Sequence, residues 1–170
     1  QQAPVQAQPV QTAPVVEENK LSSNTYLPTE VTEFTESTLW NDIFYLDSTT
    51  SGKTWKITAN DKNVYDINGQ KVASTHRLQS QGNNIMIIKL AEYTGTITLD
   101  FFVRSASGSD KTRTIVINDG TADIFTGIAD ETNDGTINTT KLTVTLECGK
   151  DYTLTTSNGI NFHAINVIAQ

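Results

Sequence analysis

The residues that could do chemistry in this sequence are few, and their spacing serves little of it. Ser51-Gly52-Lys53-Thr54 has the ending of a phosphate-binding loop, but the first glycine of that motif falls at Asp47 and no helix pattern follows. Asp130, Thr132, Asp134 and Gly135 match the first half of a calcium loop, yet its twelfth position is Lys141, where a bidentate glutamate belongs. A looser oxygen site drawn from Asp119, Asp123, Asp130 or Asp134 competes with a hydrated polar loop, and the loop is the favoured reading. No cofactor is expected, and a structural calcium is not favoured. Hydrolysis needs a nucleophile with its base, or two carboxylates facing a cleft. There is no Gly-x-Ser-x-Gly elbow; His163 lies in strand text between Phe162 and Ala164, and His76 stands beside Arg77. Asp61 and Asp66 cannot be set across a cleft from sequence. Catalytic residues and a metal site are therefore not expected. The single cysteine, Cys148, can form no intrachain disulfide and reads as a passive turn residue before Gly149. Asn138-Thr139-Thr140 satisfies the glycosylation triplet and reads as an unmodified loop.

The cations carry more information. The whole chain holds 12 Lys and Arg against 19 Asp and Glu, a formal net charge of −7. That balance argues against nucleic acid or an anionic membrane surface as the main partner. Residues 53–113 nevertheless hold nine basic residues against five acidic ones. Lys56, Arg77 and Lys89 each stand beside an inward apolar residue (Ile57, Leu78, Leu90), so they are expected to point outward. Arg104 follows inward Val103, and Arg113 shares the parity of Ile115. These five are the candidate ligands for an acidic partner, since Arg forks and Lys point charges both meet carboxylates. Of the aromatics, Trp55 shares the parity of Ile57 and is expected in the core, whereas Tyr65 and Tyr93 lie near turns and are expected to be exposed for stacking on a ligand.

The elements that must position these groups read as β throughout. Ile97, Leu99, Phe101 and Val103 alternate with Thr96, Thr98, Asp100 and Phe102, and Leu142, Val144 and Leu146 with outward Thr143, Thr145 and Glu147. Near the C-terminus, Ile160 and Phe162 keep one parity and Ile165 and Val167 the other, which predicts a bulge near Ala164. Turn text recurs at Ser51-Gly52, Asn68-Gly69, Gln81-Gly82, Asp119-Gly120, Cys148-Gly149 and Asn158-Gly159. Short strands at that spacing predict an all-β, antiparallel, jelly-roll-like sandwich. Its expected core is Ile97, Leu99, Phe101, Val103, Ile115, Ile117, Val144, Leu146, Leu154 and Phe162. Residues 1–20 are Gln/Pro-rich and predict a disordered linker, 21–37 an acidic Thr-rich connection, and 38–170 the sandwich. No apolar run approaches the roughly 18 residues that cross a bilayer as a helix, and no membrane partner is expected.

Thr75-His76-Arg77-Leu78, Arg113-Thr114-Ile115-Val116-Ile117-Asn118-Asp119-Gly120 and Cys148-Gly149-Lys150-Asp151-Tyr152-Thr153-Leu154 resemble segments of one β-sandwich family. So does the ending Asn158-Gly159-Ile160-Asn161-Phe162-His163-Ala164-Ile165-Asn166-Val167. The body from about Thr38 to Ala169 is similar to the non-catalytic carbohydrate-binding modules attached to bacterial pectate lyases and other plant cell-wall enzymes. The resemblance implies a secreted bacterial enzyme of several modules, in which this monomeric module holds an appended catalytic module on polysaccharide. Combined with the basic stretch, it favours pectin through Lys56, Arg77, Lys89, Arg104 and Arg113. A neutral β-glucan or hemicellulose read by Tyr65, Tyr93, Trp40 or Trp55, and a structural or adhesin sandwich without a sugar site, are the alternatives.

Overall fold

The computed structural model describes residues 1–14, 17–48 and 52–170, and the side chains of 61–63 are outside that description. Thirteen strands are present among the described residues, and no helix. They are β1 (Asn24–Tyr26), β2 (Thr32–Phe34), β3 (Thr38–Asn41), β4 (Phe44–Asp47), β5 (Trp55–Ile67), β6 (Gln70–Gln79) and β7 (Ile85–Ile88). The rest are β8 (Thr96–Ser105), β9 (Thr114–Asn118), β10 (Asp123–Ile128), β11 (Thr140–Glu147), β12 (Tyr152–Thr156) and β13 (Ile160–Ala169). The larger sheet has the order β11-β8-β13-β6-β5-β2, with β1 also on β13, and the smaller β10-β9-β12-β7-β4-β3. Every pairing within them is antiparallel. The chain is an all-β sandwich.

The core sits between the sheets, and alternation builds it. All ten residues expected there are buried, joined by Trp55, Phe44, Leu46, Met86 and Tyr152. The β5–β6 hairpin turns at Asn68-Gly69 with φ of 52° and 79°, the left-handed pair that a two-residue turn of the strands' own twist demands. On β13 the register against β8 shifts between Phe162 and Ala164. This is the bulge expected there, and it lets Phe162 and Ile165 both reach the core.

The sandwich begins earlier than residue 38. β1 pairs with β13 and β2 with β5, and Tyr26 is buried, with its ring edge-on to Phe44 at 5.6 Å and its hydroxyl donating to Asp42 Oδ2 at 2.7 Å. Three-residue strands are too short to show alternation, so the acidic Thr-rich text hid them. Residues 1–14 are exposed and carry no strand.

The far half of the β5–β6 hairpin departs from the sheet plane. Between Ala59 and Asn63 the pairing of β5 with β6 slips, three residues facing one. Beyond the slip, Tyr65 packs on Phe102 of β8 at 5.5 Å, and with Ala164 and Ile67 the two form a second, small apolar cluster. Phe102 and Ala164 lie on the side of the larger sheet opposite the core, so the hairpin folds over that outer face. The 129–139 connection crosses it too, its Ile137 carbonyl accepting from Val64 N at 2.6 Å.

Candidate functional site

The outer face of the larger sheet gathers three of the five expected cations. Lys56 on β5, Gln79 on β6, Asn161 on β13 and Arg104 on β8 are successive register partners. Their neighbours Ile57, Leu78, Phe162 and Val103 are in the core, so the alternation sends this row outward. It crosses four strands, about 14 Å at ordinary strand spacing. Arg77 and its partner Thr58 stand one row further on the same face, where Arg77 Nε donates to Thr58 Oγ1 at 2.9 Å.

Half of this row is sealed. Arg104, expected as an accessible ligand, is only 1% exposed. Its parity is outward, but the 129–139 connection lies on it: Arg104 Nη2 donates to the Thr132 carbonyl and sits 3.7 Å from Asp134 Oδ1. Burial lowers its pKa, against the pull of Asp134 and Glu131. Arg104 Nε and Asn161 Oδ1 are buried without a hydrogen-bond partner. His163 lies beside them, fully buried. Desolvation, with Arg104 and Arg77 adding repulsion, pushes its pKa down to about 3, so the imidazole is neutral at physiological pH.

Tyr65 also departs from expectation. It is 3% exposed, because the hairpin carries it onto Phe102 rather than into solvent, and burial raises its pKa. It offers no free ring face. A cleft of ≈ 280 Å³ opens beside it between the hairpin and the 129–139 connection, lined by Asp66, Lys71, Glu131, Asn138 and Thr139 among others.

The remaining candidates lie elsewhere. Lys89, just past β7, donates to Asp151 Oδ2 at 2.8 Å. That bond raises the lysine's pKa. Partial burial works against Asp151, but Lys89 and the Ala91 N–H outweigh it and hold the carboxyl below its ordinary value. Tyr93 is half-buried next to them in a cleft of ≈ 100 Å³ with Asp42 and Glu92. Arg113 is structural: Nε meets Asp110 Oδ2 at 3.1 Å and Nη1 donates to the Gly159 carbonyl at 2.8 Å. Bonds from Thr112, then from Arg113, bring Asp110 down to about 2. Three of the five cations are thus engaged by acids or carbonyls. Lys56 and Arg77 are half-buried and, among the described residues, have no carboxylate within ion-pair distance.

The acids considered for other chemistry are used locally. Asp119 caps Thr121 and Ala122, whose bonds draw its pKa far down. Asp130 accepts from Thr140 Oγ1 at 2.7 Å, Asp123 from Asn118 Nδ2 at 2.9 Å, and Asp134 caps Thr136. Asp66 caps Gly69. Among the described residues no group of three or more His, Cys, Asp or Glu could hold a metal ion. Ser51 and the Asp61 side chain lie outside the described residues. Cys148 is partly buried, and burial raises its thiol pKa. Gln79, Asn161 and Thr58, which complete the face, escaped sequence reasoning because an uncharged amide or hydroxyl on an outward strand position has no distinguishing signal beyond parity with Arg77.

No family model matches the sequence, and no curated protein matches it. Among solved structures, the K1 cleaved adhesin domain of Lys-gingipain from Porphyromonas gingivalis W83 is similar at 15% identity, covering 88% of this chain and 99% of that one with a TM-score of 0.52. The CBM22-1 xylan-binding domain of Paenibacillus barcinonensis Xyn10C is 13% identical over 91% of this chain and 97% of its own, at a TM-score of 0.45. CBM51 from the Clostridium perfringens GH95 protein, in complex with methyl-galactose, is 14% identical over 84% and 99%, at 0.43. At such identities what is shared is the fold, and the chain has the antiparallel β-sandwich architecture of the gingipain adhesin domain.

Proposed function

We propose that this chain is a non-catalytic carbohydrate-binding module whose ligand is an acidic plant cell-wall glycan, the unesterified pectin backbone foremost. It would serve a secreted bacterial enzyme by holding an appended catalytic module on polysaccharide. The observation that carries the reading is the pair Lys56 and Arg77, half-exposed and, among the described residues, with no carboxylate within ion-pair distance, Glu33 of β2 being the register partner of Lys56, beside Gln79 and Thr58 on one sheet face. A point charge and a guanidinium fork bind uronate carboxylates, while the amide and hydroxyl bind ring hydroxyls. The local use of the chain's acids and the neutral burial of His163 support a binding role over a catalytic one.

Affinity electrophoresis in polygalacturonate tests this. Retardation is expected at low salt and should fall as ionic strength rises and the Debye length shrinks to about 8 Å. Highly methyl-esterified pectin should retard less because its carboxylates are masked. Migration indifferent to polygalacturonate at low salt would overturn the reading and leave an adhesin-like sandwich without this site.

A further inference from the structure

The cleft between the β5–β6 hairpin and the 129–139 connection holds charges of both signs that do not meet. Asp66 on β5 and Lys71 on β6 are register partners near the hairpin turn. Asp66 Oδ1 is nevertheless turned to the Gly69 N–H at 2.9 Å, and no ion pair joins the two side chains. Glu131, half-buried on the facing connection, donates its backbone N–H to Thr140 Oγ1 at 2.9 Å. Among the described residues, neither its carboxylate nor the Lys71 ammonium has a hydrogen-bond or ion-pair partner. The charge of Arg104, which Glu131 feels, is spent on the Thr132 carbonyl and Asp134. Tyr65 adds a polar group: it lines the cleft at 3% exposure, and its hydroxyl has no hydrogen-bond partner among the described residues.

The cleft is built before any ligand arrives. Val64 N donates to the Ile137 carbonyl at 2.6 Å and Thr139 Oγ1 to the Val64 carbonyl at 2.9 Å, so the two walls are tied to each other. Its ≈ 280 Å³ is close to the lower end of small-molecule sites, roughly 300 Å³, so the occupant is small. Charge then narrows its class. Two carboxylates turn away an anion such as a uronate. The Lys71 ammonium repels a metal ion, and among the described residues no three His, Cys, Asp or Glu gather to hold one. A neutral sugar would leave three charges unpaired and find no aromatic face, because the Tyr65 ring lies against Phe102. Two carboxylates and one ammonium are matched by two ammonium groups and one carboxylate. Val64 and Ile137 offer apolar contact to the methylene stem between them.

We propose that this cleft binds a free diamino monocarboxylic acid of lysine's size, independently of the acidic glycan on the sheet face. The ligand carboxylate meets Lys71, its two ammonium groups meet Asp66 and Glu131, and the Tyr65 hydroxyl accepts from one of them. Isothermal titration of the full chain with L-lysine at low ionic strength should give a Kd of about 1 mM or tighter. Cadaverine, which lacks the carboxylate, and ε-aminocaproate, which lacks the α-ammonium, should each bind roughly tenfold more weakly. Nα-acetyl-L-lysine, a stand-in for a lysine at a peptide C-terminus, should lose as much, which makes the free amino acid the source. Lys71→Ala and Glu131→Gln should each weaken L-lysine binding roughly tenfold, and Tyr65→Phe about threefold, with thermal melting as the check on folding. Lys71→Ala should bind polygalacturonate as the parent does, so the two sites fail separately. The proposal is overturned if L-lysine does not bind the parent in that range, or if any of the three analogues binds as tightly as L-lysine. Folded Glu131→Gln that binds L-lysine like the parent would overturn it as well.

Discussion

Arg104 on β8 and Asn161 on β13 are register partners on the outer face of the larger sheet, and each keeps one buried polar atom, Nε and Oδ1, without a hydrogen-bond partner. A donor and an acceptor side by side in a sealed space are the requirement for a bridging water. A high-resolution crystal structure should show one ordered water within hydrogen-bond distance of both. Density showing the pair dry would mean that the site tolerates two unsatisfied groups.

Arg104 also holds down the 129–139 connection through the Thr132 carbonyl and Asp134. Hydrogen bonds to a charged group contribute about 1.5–3 kcal/mol when buried. Arg104→Met should cost about that much in denaturant unfolding and make the connection more sensitive to protease. Arg104→Lys should not restore it, because a point charge cannot reproduce the fork. A variant as stable and as protease-resistant as the parent would remove this role.

His163 should set an acid limb to stability. Its folded pKa of about 3 lies below the ordinary value of 6.5, so below pH 6.5 the unfolded chain takes up a proton that the folded chain refuses. Stability is full above 6.5 and is lost as pH falls towards 3. By pH 5 the loss is about 2 kcal/mol at 1.4 kcal/mol per pH unit. Melting temperature measured from pH 8 to pH 4 should bend near 6.5, and His163→Gln, if folded, should lose the bend. The nearby charges, Arg104 and Arg77, stay protonated throughout and only deepen the effect.

The N-terminal segment divides sharply. Residues 1–14 are exposed, whereas Asn19 accepts from Thr94 N at 2.8 Å and Tyr26 is in the core. Deleting 1–14 should leave the melting temperature within about a degree, since exposed chain contributes little burial. Deleting 1–27 removes β1 and the Tyr26 ring and should lower it by many degrees, an aromatic loss of this kind costing about 3–5 kcal/mol. Equal melting of the two truncations would show β1 to be dispensable.

Alternation made the core legible, down to the bulge beside Ala164, because one face of every central strand must be apolar. The same rule gave Arg104 and Tyr65 their direction but not their surroundings. Whether an outward residue meets water depends on what crosses above it, and the folding of the 63–74 hairpin half and the 129–139 connection over β8 is a long-range event. Phe102, apolar at an outward position between Asp100 and Arg104, was the one local sign that this face is covered. β1 and β2 were invisible because three residues cannot show a period. The engaged cations were illegible for a different reason: Asp151 reaches Lys89 only through the fold, and Asp110, three residues before Arg113, pairs with it across loop text that strand parity does not read.

That last distinction makes the sharpest test of the acidic-ligand site. Lys89 and Arg113 carry the same charge as Lys56 and Arg77, so a ligand attracted by net charge alone would respond to all four. The structure separates them, because Lys89 is spent on Asp151, Arg113 on Asp110 and the Gly159 carbonyl, and both lie off the larger sheet's outer face. Lys56→Ala and Arg77→Ala should each weaken polygalacturonate binding roughly tenfold, the worth of one charge-assisted contact of about 1.4 kcal/mol. Lys89→Ala should bind as the parent does. Arg113→Ala should also bind normally once folded, although it should melt lower for want of its tie to Gly159. Titration of the four variants at one low ionic strength reads this directly. Four equal losses would mean diffuse attraction rather than a site, and losses confined to Lys89→Ala or Arg113→Ala would move the site to the smaller sheet or the sandwich end.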